Sequence, residues 1–340
     1  MQFLIDEGEV SSLLTKEESI NSDASLLEHL VIRDCPSLKR VTLRGDLFAK
    51  LKFLEIWRCS ELTSLSSSNQ LPIAPKKLEV LSCPKLESLA DNLNNNVSLE
   101  CPRIVNCKEI KFLPEGLHKL CHLNDIRIDD CCSLVSFPDG GFLPTHLTNL
   151  SIWPCEKLEA LPRMHMVTTL CISKCPSIVS LPEEGLPTNL KELCLGGMTS
   201  SKQVFEWGLH RLSSLTSLTI YGDGFEDWQS FPEEEDGKMM LLLPTSLTYL
   251  SIEEFPDIVF LSSKFLQLEE LWFWDCPKLA SLPENGLPPS LLLLRINGCP
   301  VLKQNCKKGK GQEWLKNIIN IPCVQIDWRP IYELQEEEQQ

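Results

Sequence analysis

The chain has 340 residues, 43% of them hydrophobic and 23% charged, which is enough apolar material for a sizeable core. Its formal net charge of -15 excludes the usual nucleic-acid binder, whose affinity rests on Lys and Arg neutralising phosphates, so no nucleic acid is expected as a partner. The opening MQFLIDEGEV carries acid where a signal peptide is apolar, and no run approaches the length of a membrane span; a chain of the cell interior, cytoplasmic or nuclear, is expected.

Residues 1–25 show no period and are expected to be an N-terminal stub or a partial first repeat. From 26 onward a repeat takes over: LEHLVIRDCPSL at 27–38, LKFLEIWRCSEL at 51–62 and LTNLSIWPCEKL at 147–158 share the template L-x-x-L-x-I-x-x-C-x-x-L. Its second leucine recurs every 24 residues at Leu30, Leu54, Leu78, Pro102, Ile126 and Leu150, then less evenly at Leu170, Leu193, Leu218, Leu250, Leu271 and Leu294. Two residues past each anchor stands a branched or aromatic residue. Five past it stands a cysteine in nine units, the others carrying Met198, Asp223 and Phe255.

This is the pattern of a leucine-rich repeat. It predicts an α/β solenoid, a horseshoe of about 12 coils over 26–305, with L-x-I strands forming a parallel β-sheet on the concave face. Proline follows the cysteine at Pro36, Pro84, Pro176, Pro277 and Pro300, and Leu-Pro pairs mark the return path, so a mostly irregular convex side is expected. One coil cannot bury its own face, but stacked coils can.

Residues 306–330 are read as a C-terminal cap, a short helix and a last strand, with Trp314, Leu315, Ile318 and Ile319 of the helix covering the final coil. Residues 331–340 are predicted to be an acidic disordered tail.

Most of the sixteen cysteines are thereby one per coil. Their wide spacing favours packing over zinc, which needs close ligand pairs, and disulfides are not expected inside a cell. His118 and His122 stand four apart but lack the glutamate of a zinc-protease helix. No nucleophile elbow, dinucleotide fingerprint or other catalytic cluster occurs, so no enzyme chemistry, metal or cofactor is expected.

Function is then expected on the concave strand positions that alternate with the core. Up to Leu150 these carry Trp57, Arg103, Arg127 and Trp153 among mixed charges, Glu55 and Glu79 included. From Leu218 onward they carry Tyr221, Tyr249, Trp272 and Trp274 among Glu253, Glu270 and, at the strand end, Asp275. An exposed aromatic patch rimmed by acid is expected to bind a protein. The long unit between Leu218 and Leu250 inserts FEDWQSFPEEEDGKMM, a weaker candidate for framing that patch.

The cysteine form of the repeat, the recurring loops GLPTNL (185–190), LLPTSL (242–247) and GLPPSL (286–291), and the closing stretch CPVLKQNCKKGKGQEWLKNIINIPCVQID (299–327) resemble the repeat domain of plant nucleotide-binding leucine-rich-repeat disease resistance proteins of the coiled-coil class. The resemblance implies a non-catalytic interaction scaffold of plant defence. Its partners would be a pathogen effector or a guarded host protein, and the receptor's own nucleotide-binding module, which it helps hold inactive. The ADP or ATP of a full-length receptor would bind in that module. No G-x-x-x-x-G-K-[ST] loop occurs in these residues, so no cofactor is expected here and the chain reads as a repeat domain without its switch. A second reading is the substrate-recruiting subunit of an F-box ubiquitin ligase, which also uses cysteine-bearing leucine repeats.

Overall fold

In the computed structural model every anchor of the repeat lies in a strand. The structure describes residues 2–5, 27–41, 50–65, 75–93, 98–178, 181, 185–197, 207–225, 228–231, 234–235, 238–239, 243–261, 267–283, 286–307, 311, 313 and 317–331. Residues 332–340 of the expected tail, Met198, Trp314 and Leu315 lie outside them; Ile331, the tail's expected first residue, is buried. The chain divides into two units, Met1–Pro187 and Thr188–Gln340.

The first unit carries β1 (Gln2–Ile5), β2 (His29–Arg33), β3 (Phe53–Trp57), β4 (Lys77–Leu81), β5 (Cys101–Val105), β6 (Asp125–Asp129), β7 (Asn149–Trp153) and β8 (Thr169–Ser173). Consecutive strands pair in parallel, and the anchors face one another: Leu30 opposite Leu54, Leu54 opposite Leu78, Ile126 opposite Leu150. Ahead of the first anchor, β1 pairs with β2, Phe3 opposite Leu30.

The second unit carries β9 (Glu192–Gly196), β10 (Ser217–Tyr221), the short strands β11 (Ser230–Phe231), β12 (Glu234–Glu235) and β13 (Lys238–Met239), then β14 (Tyr249–Glu253), β15 (Phe260–Leu261), β16 (Glu270–Trp274), β17 (Leu293–Asn297), helix α1 (Pro300–Asn305), β18 (Cys323–Ile326) and β19 (Arg329–Pro330). Here β9, β10, β14, β16, β17 and β18 form the parallel stack, and β19 turns back antiparallel on β18.

Each anchor and the residue two further on are buried, which is the alternation a strand imposes when one face meets a core. The repeat cysteines are buried as well, at most 2% exposed. Their thiols do what a small weak donor can. Cys107 Sγ reaches Val80 O at 3.8 Å and Cys276 Sγ reaches Ile252 O at 3.6 Å, each satisfying a carbonyl of the preceding coil.

The inward turn is made one residue before the cysteine. Asp34, Arg58, Ser82, Asn106, Asp130, Lys174, Glu254 and Asp275 all take φ of 49–57°, a conformation that L-residues rarely adopt. A backbone bond to the next coil holds it: Asp34 N donates to Trp57 O at 3.0 Å, Ser82 N to Val105 O at 2.8 Å and Asp275 N to Asn297 O at 2.9 Å. Pro154 occupies the same column in its coil, where it can neither take that φ nor donate.

Three expectations need correction. The concave positions are not uniformly solvent-facing, because strands on either side crowd them: Glu79 is 6% exposed and Ser251 fully buried. Ile319 does not cover the final coil; it is 46% exposed while its neighbour Ile318 is buried, since adjacent residues of a turn point in different directions. The insertion after Leu218 is in part core. Phe225, Trp228 and Phe231 are buried and pack with Phe255, which replaces the cysteine of its coil; Phe225 and Trp228 meet edge to face at 4.7 Å between centroids. A longer coil encloses more volume, and aromatic rings fill what a thiol cannot. The acidic run within it is described only as the backbone of the β12–β13 pair.

Candidate interaction surface

A void of about 20 Å³ lined by Leu78, Pro102, Ile104, Pro114, Ile126 and other apolar side chains could hold at most a water and has nothing polar to bind it. Among the described residues no group of three or more His, Cys, Asp or Glu side chains could hold a metal ion. The concave faces are left.

In the first unit, Trp57 lies under the Arg33 guanidinium, 3.8 Å from the ring centroid. Both Trp57 Nε1 and Arg33 Nε are buried without a hydrogen-bond partner. Glu55 beside them is reached by His29 at 3.0 Å and by Arg33 at 3.9 Å. Further along, Arg103 and Arg127 stand opposite each other in register and are both exposed. Glu79 beneath is neutralised by Lys77 at 2.8 Å and Arg103 at 3.9 Å, and Asp125 by Arg127 at 3.3 Å. Trp153 is half-buried opposite Asp129, whose carboxyl burial and the Asp130 charge hold above the usual carboxylate range. The four sequence-predicted residues of this unit thus lie on one face but in separate settings, mostly charge-balanced.

In the second unit the strands set out a grid. On β14 the concave positions are Tyr249, Ser251 and Glu253; on β16, Glu270, Trp272 and Trp274; on β17, Leu293, Arg295 and Asn297. Trp272 stacks edge to face with Tyr249 at 5.3 Å, and the Arg295 guanidinium lies 4.2 Å from its centroid on the next strand. Trp272 is therefore half-buried, with its Nε1 buried and without a partner. Tyr221 stands opposite Glu253 in register on the preceding strand and lies against Gly196, where an added Cβ would be 2.4 Å from the tyrosine Cβ.

Trp274 has a different environment. Its Nε1 donates to Asp275 Oδ2 at 2.9 Å, and its ring meets Trp328 edge to face at 5.3 Å. Trp328 sits at the tip of the β18–β19 hairpin and is 60% exposed. Glu253 stands opposite Trp274 in register and accepts from Ser251 Oγ at 2.6 Å. Its proton affinity is raised by burial first and then by the charges of Glu254 and Asp275. Burial likewise raises the Tyr249 hydroxyl.

Among the described residues, Trp272 is packed by its strand neighbours, and Trp274 by the cap hairpin. Sequence reading missed Trp328 and Arg295. Trp328 had one legible signal, an Asp-Trp pair between two short extended runs, in a turn position that glycine usually fills.

The chain is 36% identical over 180 residues to an Arabidopsis thaliana protein named "Putative disease resistance protein At3g14460", a match covering 51% of this chain and 12% of that protein's length. No family model matches. Among solved structures, YopM from Yersinia enterocolitica is 20% identical (79% of this chain, 73% of that one; TM-score 0.31), and a leucine-rich repeat protein from Bacteroides ovatus is 13% identical (84% and 82%; TM-score 0.24). A TLR13–ssRNA13 complex is 14% identical (81% and 49%; TM-score 0.34). The chain is a leucine-rich-repeat domain related in sequence to a plant disease resistance protein.

Proposed function

We propose that this leucine-rich-repeat solenoid, sharing half its length with a plant disease resistance protein, serves as a non-catalytic recognition domain of an intracellular immune receptor. Its concave faces would contact a pathogen effector or a guarded host protein, and in the resting state the receptor's nucleotide-binding module. The observation that carries the reading is the sequence match, together with the placement of aromatic and charged side chains on the sheet face. A ladder of parallel strands holds such side chains at fixed spacing, which lowers the entropy cost of binding a matching surface. The protein would act in the cytoplasm or nucleus; among the described residues no helix is long and apolar enough to cross a membrane.

Sequencing the transcript upstream of Met1 tests the assignment. A P-loop module in the same reading frame is the expected result. An F-box there would transfer the scaffold to substrate recruitment for a ubiquitin ligase and end the receptor reading.

A further inference from the structure

Several concave carboxylates find a cation within the chain: Glu55 has His29 and Arg33, Glu79 has Lys77 and Arg103, and Asp327 has Lys303 at 2.5 Å. Glu253 and Asp275 do not. Among the described residues no Lys or Arg pairs with either, although they lie close enough to each other and to Glu254 for the negative charges to raise the Glu253 proton affinity. The guanidinium of Arg295, on the strand beside Trp274, lies over the Trp272 ring.

Beside these acids stand two indoles meeting edge to face, Trp274 and the largely exposed Trp328. The second is held there against local preference. Asp327 and Trp328 take φ of 47° and 66° in succession, a pair of positive values that a hairpin turn normally gives to Asn-Gly. For a bulky residue this is costly, and glycine would fit with less strain.

Carboxylates without a counter-cation next to exposed ring faces are what an ammonium or guanidinium group seeks. A small metal ion fits less well, since no three acidic or other ligating side chains among the described residues converge on one point. We infer that the corner formed by Trp274, Trp328, Glu253 and Asp275 receives a lysine or arginine side chain from an extended basic segment of a protein partner. The inference rests on the scaffold reading above and specifies its partner's chemistry. The segment would lie across the strands, its cation against the indoles and its flanking residues over Trp272 and Tyr249.

The test uses a nonapeptide of alternating lysine and threonine, with a glutamate-for-lysine peptide as control, followed by tryptophan fluorescence and calorimetry. Binding of the lysine peptide alone is expected, weakened about tenfold by E253Q, by D275N and by W328G. W328G is expected to leave Tm unchanged or raised, because glycine suits the turn. The double variant E87Q/E109Q removes twice the charge of E253Q, from exposed sites in the first unit, and should bind as the parent does. If it weakens binding as much as E253Q, the attraction is net charge alone and the inference falls. It falls too if W328G lowers Tm while affinity holds, which would make the indole a structural cover, or if calcium displaces the peptide at millimolar concentration. Self-association abolished by W274A would make the occupant a second copy and overturn it equally. Any of these results, with a P-loop module found upstream, would leave the receptor reading standing.

Discussion

Trp272 and Trp274 are two residues apart on one strand, and the sequence treats them alike. Their neighbours do not. Trp272 is wedged between the Tyr249 ring and the Arg295 guanidinium, while Trp274 touches Trp328 and Asp275. An aromatic pair and a cation over a ring are each worth about 1 kcal/mol. W272A should therefore lower stability by about 1–2 kcal/mol in denaturant titration, and W274A should lose less, since its ring partner Trp328 is itself largely exposed. Equal losses in the two variants would contradict the environments described. Gly298 is a second residue whose role depends on context. At φ 62° an added Cβ would lie 1.8 Å from Asp275 Oδ1, so G298A should strain the backbone and displace that carboxylate. A stability loss of at least about 1 kcal/mol is expected, read by thermal unfolding.

At the scale of the coil, the repeat's period located every anchor because a strand's alternation writes burial directly into residue type. I128A should accordingly cost about 2–5 kcal/mol by the usual cavity penalty, Ile128 being 1% exposed; a denaturant midpoint unchanged from the parent would refute it. The turn before each cysteine was not legible. Arg58 and Glu254 are poor candidates for a positive φ, and the bond from their N–H to the next coil explains why they accept it. The insertion misled for a similar reason. Phe225, Trp228 and Phe231 stand three apart among polar residues as in a framing loop, yet a wider coil drew them inward against Phe255.

At the scale of the molecule, two consequences follow from the cysteine column. Burial pushes the thiols of Cys107 and Cys131 up to about 12, well above the usual thiol range, and that of Cys306 likewise. At neutral pH, native protein exposed to iodoacetamide should be labelled first at Cys121 and Cys323, which are exposed, and at the column only after unfolding; mass spectrometry of the digested chain reads this directly. A thiol held protonated in the fold and free to ionise outside it stabilises the fold. That contribution is fully present below about pH 9 and is lost as pH rises towards 12, so the protein should unfold on alkaline titration within that window. A Tm constant from pH 8 to 11.5 would show that the column does not govern stability. The net charge of -15 adds that any basic partner should bind more weakly as salt is raised.

The sequence by itself determined the architecture of each coil: which residues enter the core, where the strand lies and why a cysteine recurs, since these depend on local alternation and a single repeated environment. It also placed the concave aromatics on one face. Only the tertiary structure decided what each of them meets, because strand neighbours are separated by 20 or more residues in sequence. It made Trp272 a packed residue, brought Trp328 of the cap to Trp274, and, among the described residues, gave Glu253 and Asp275 no cation of the kind other carboxylates on these faces possess. Those facts depend on register between coils, and register is a property of the folded stack.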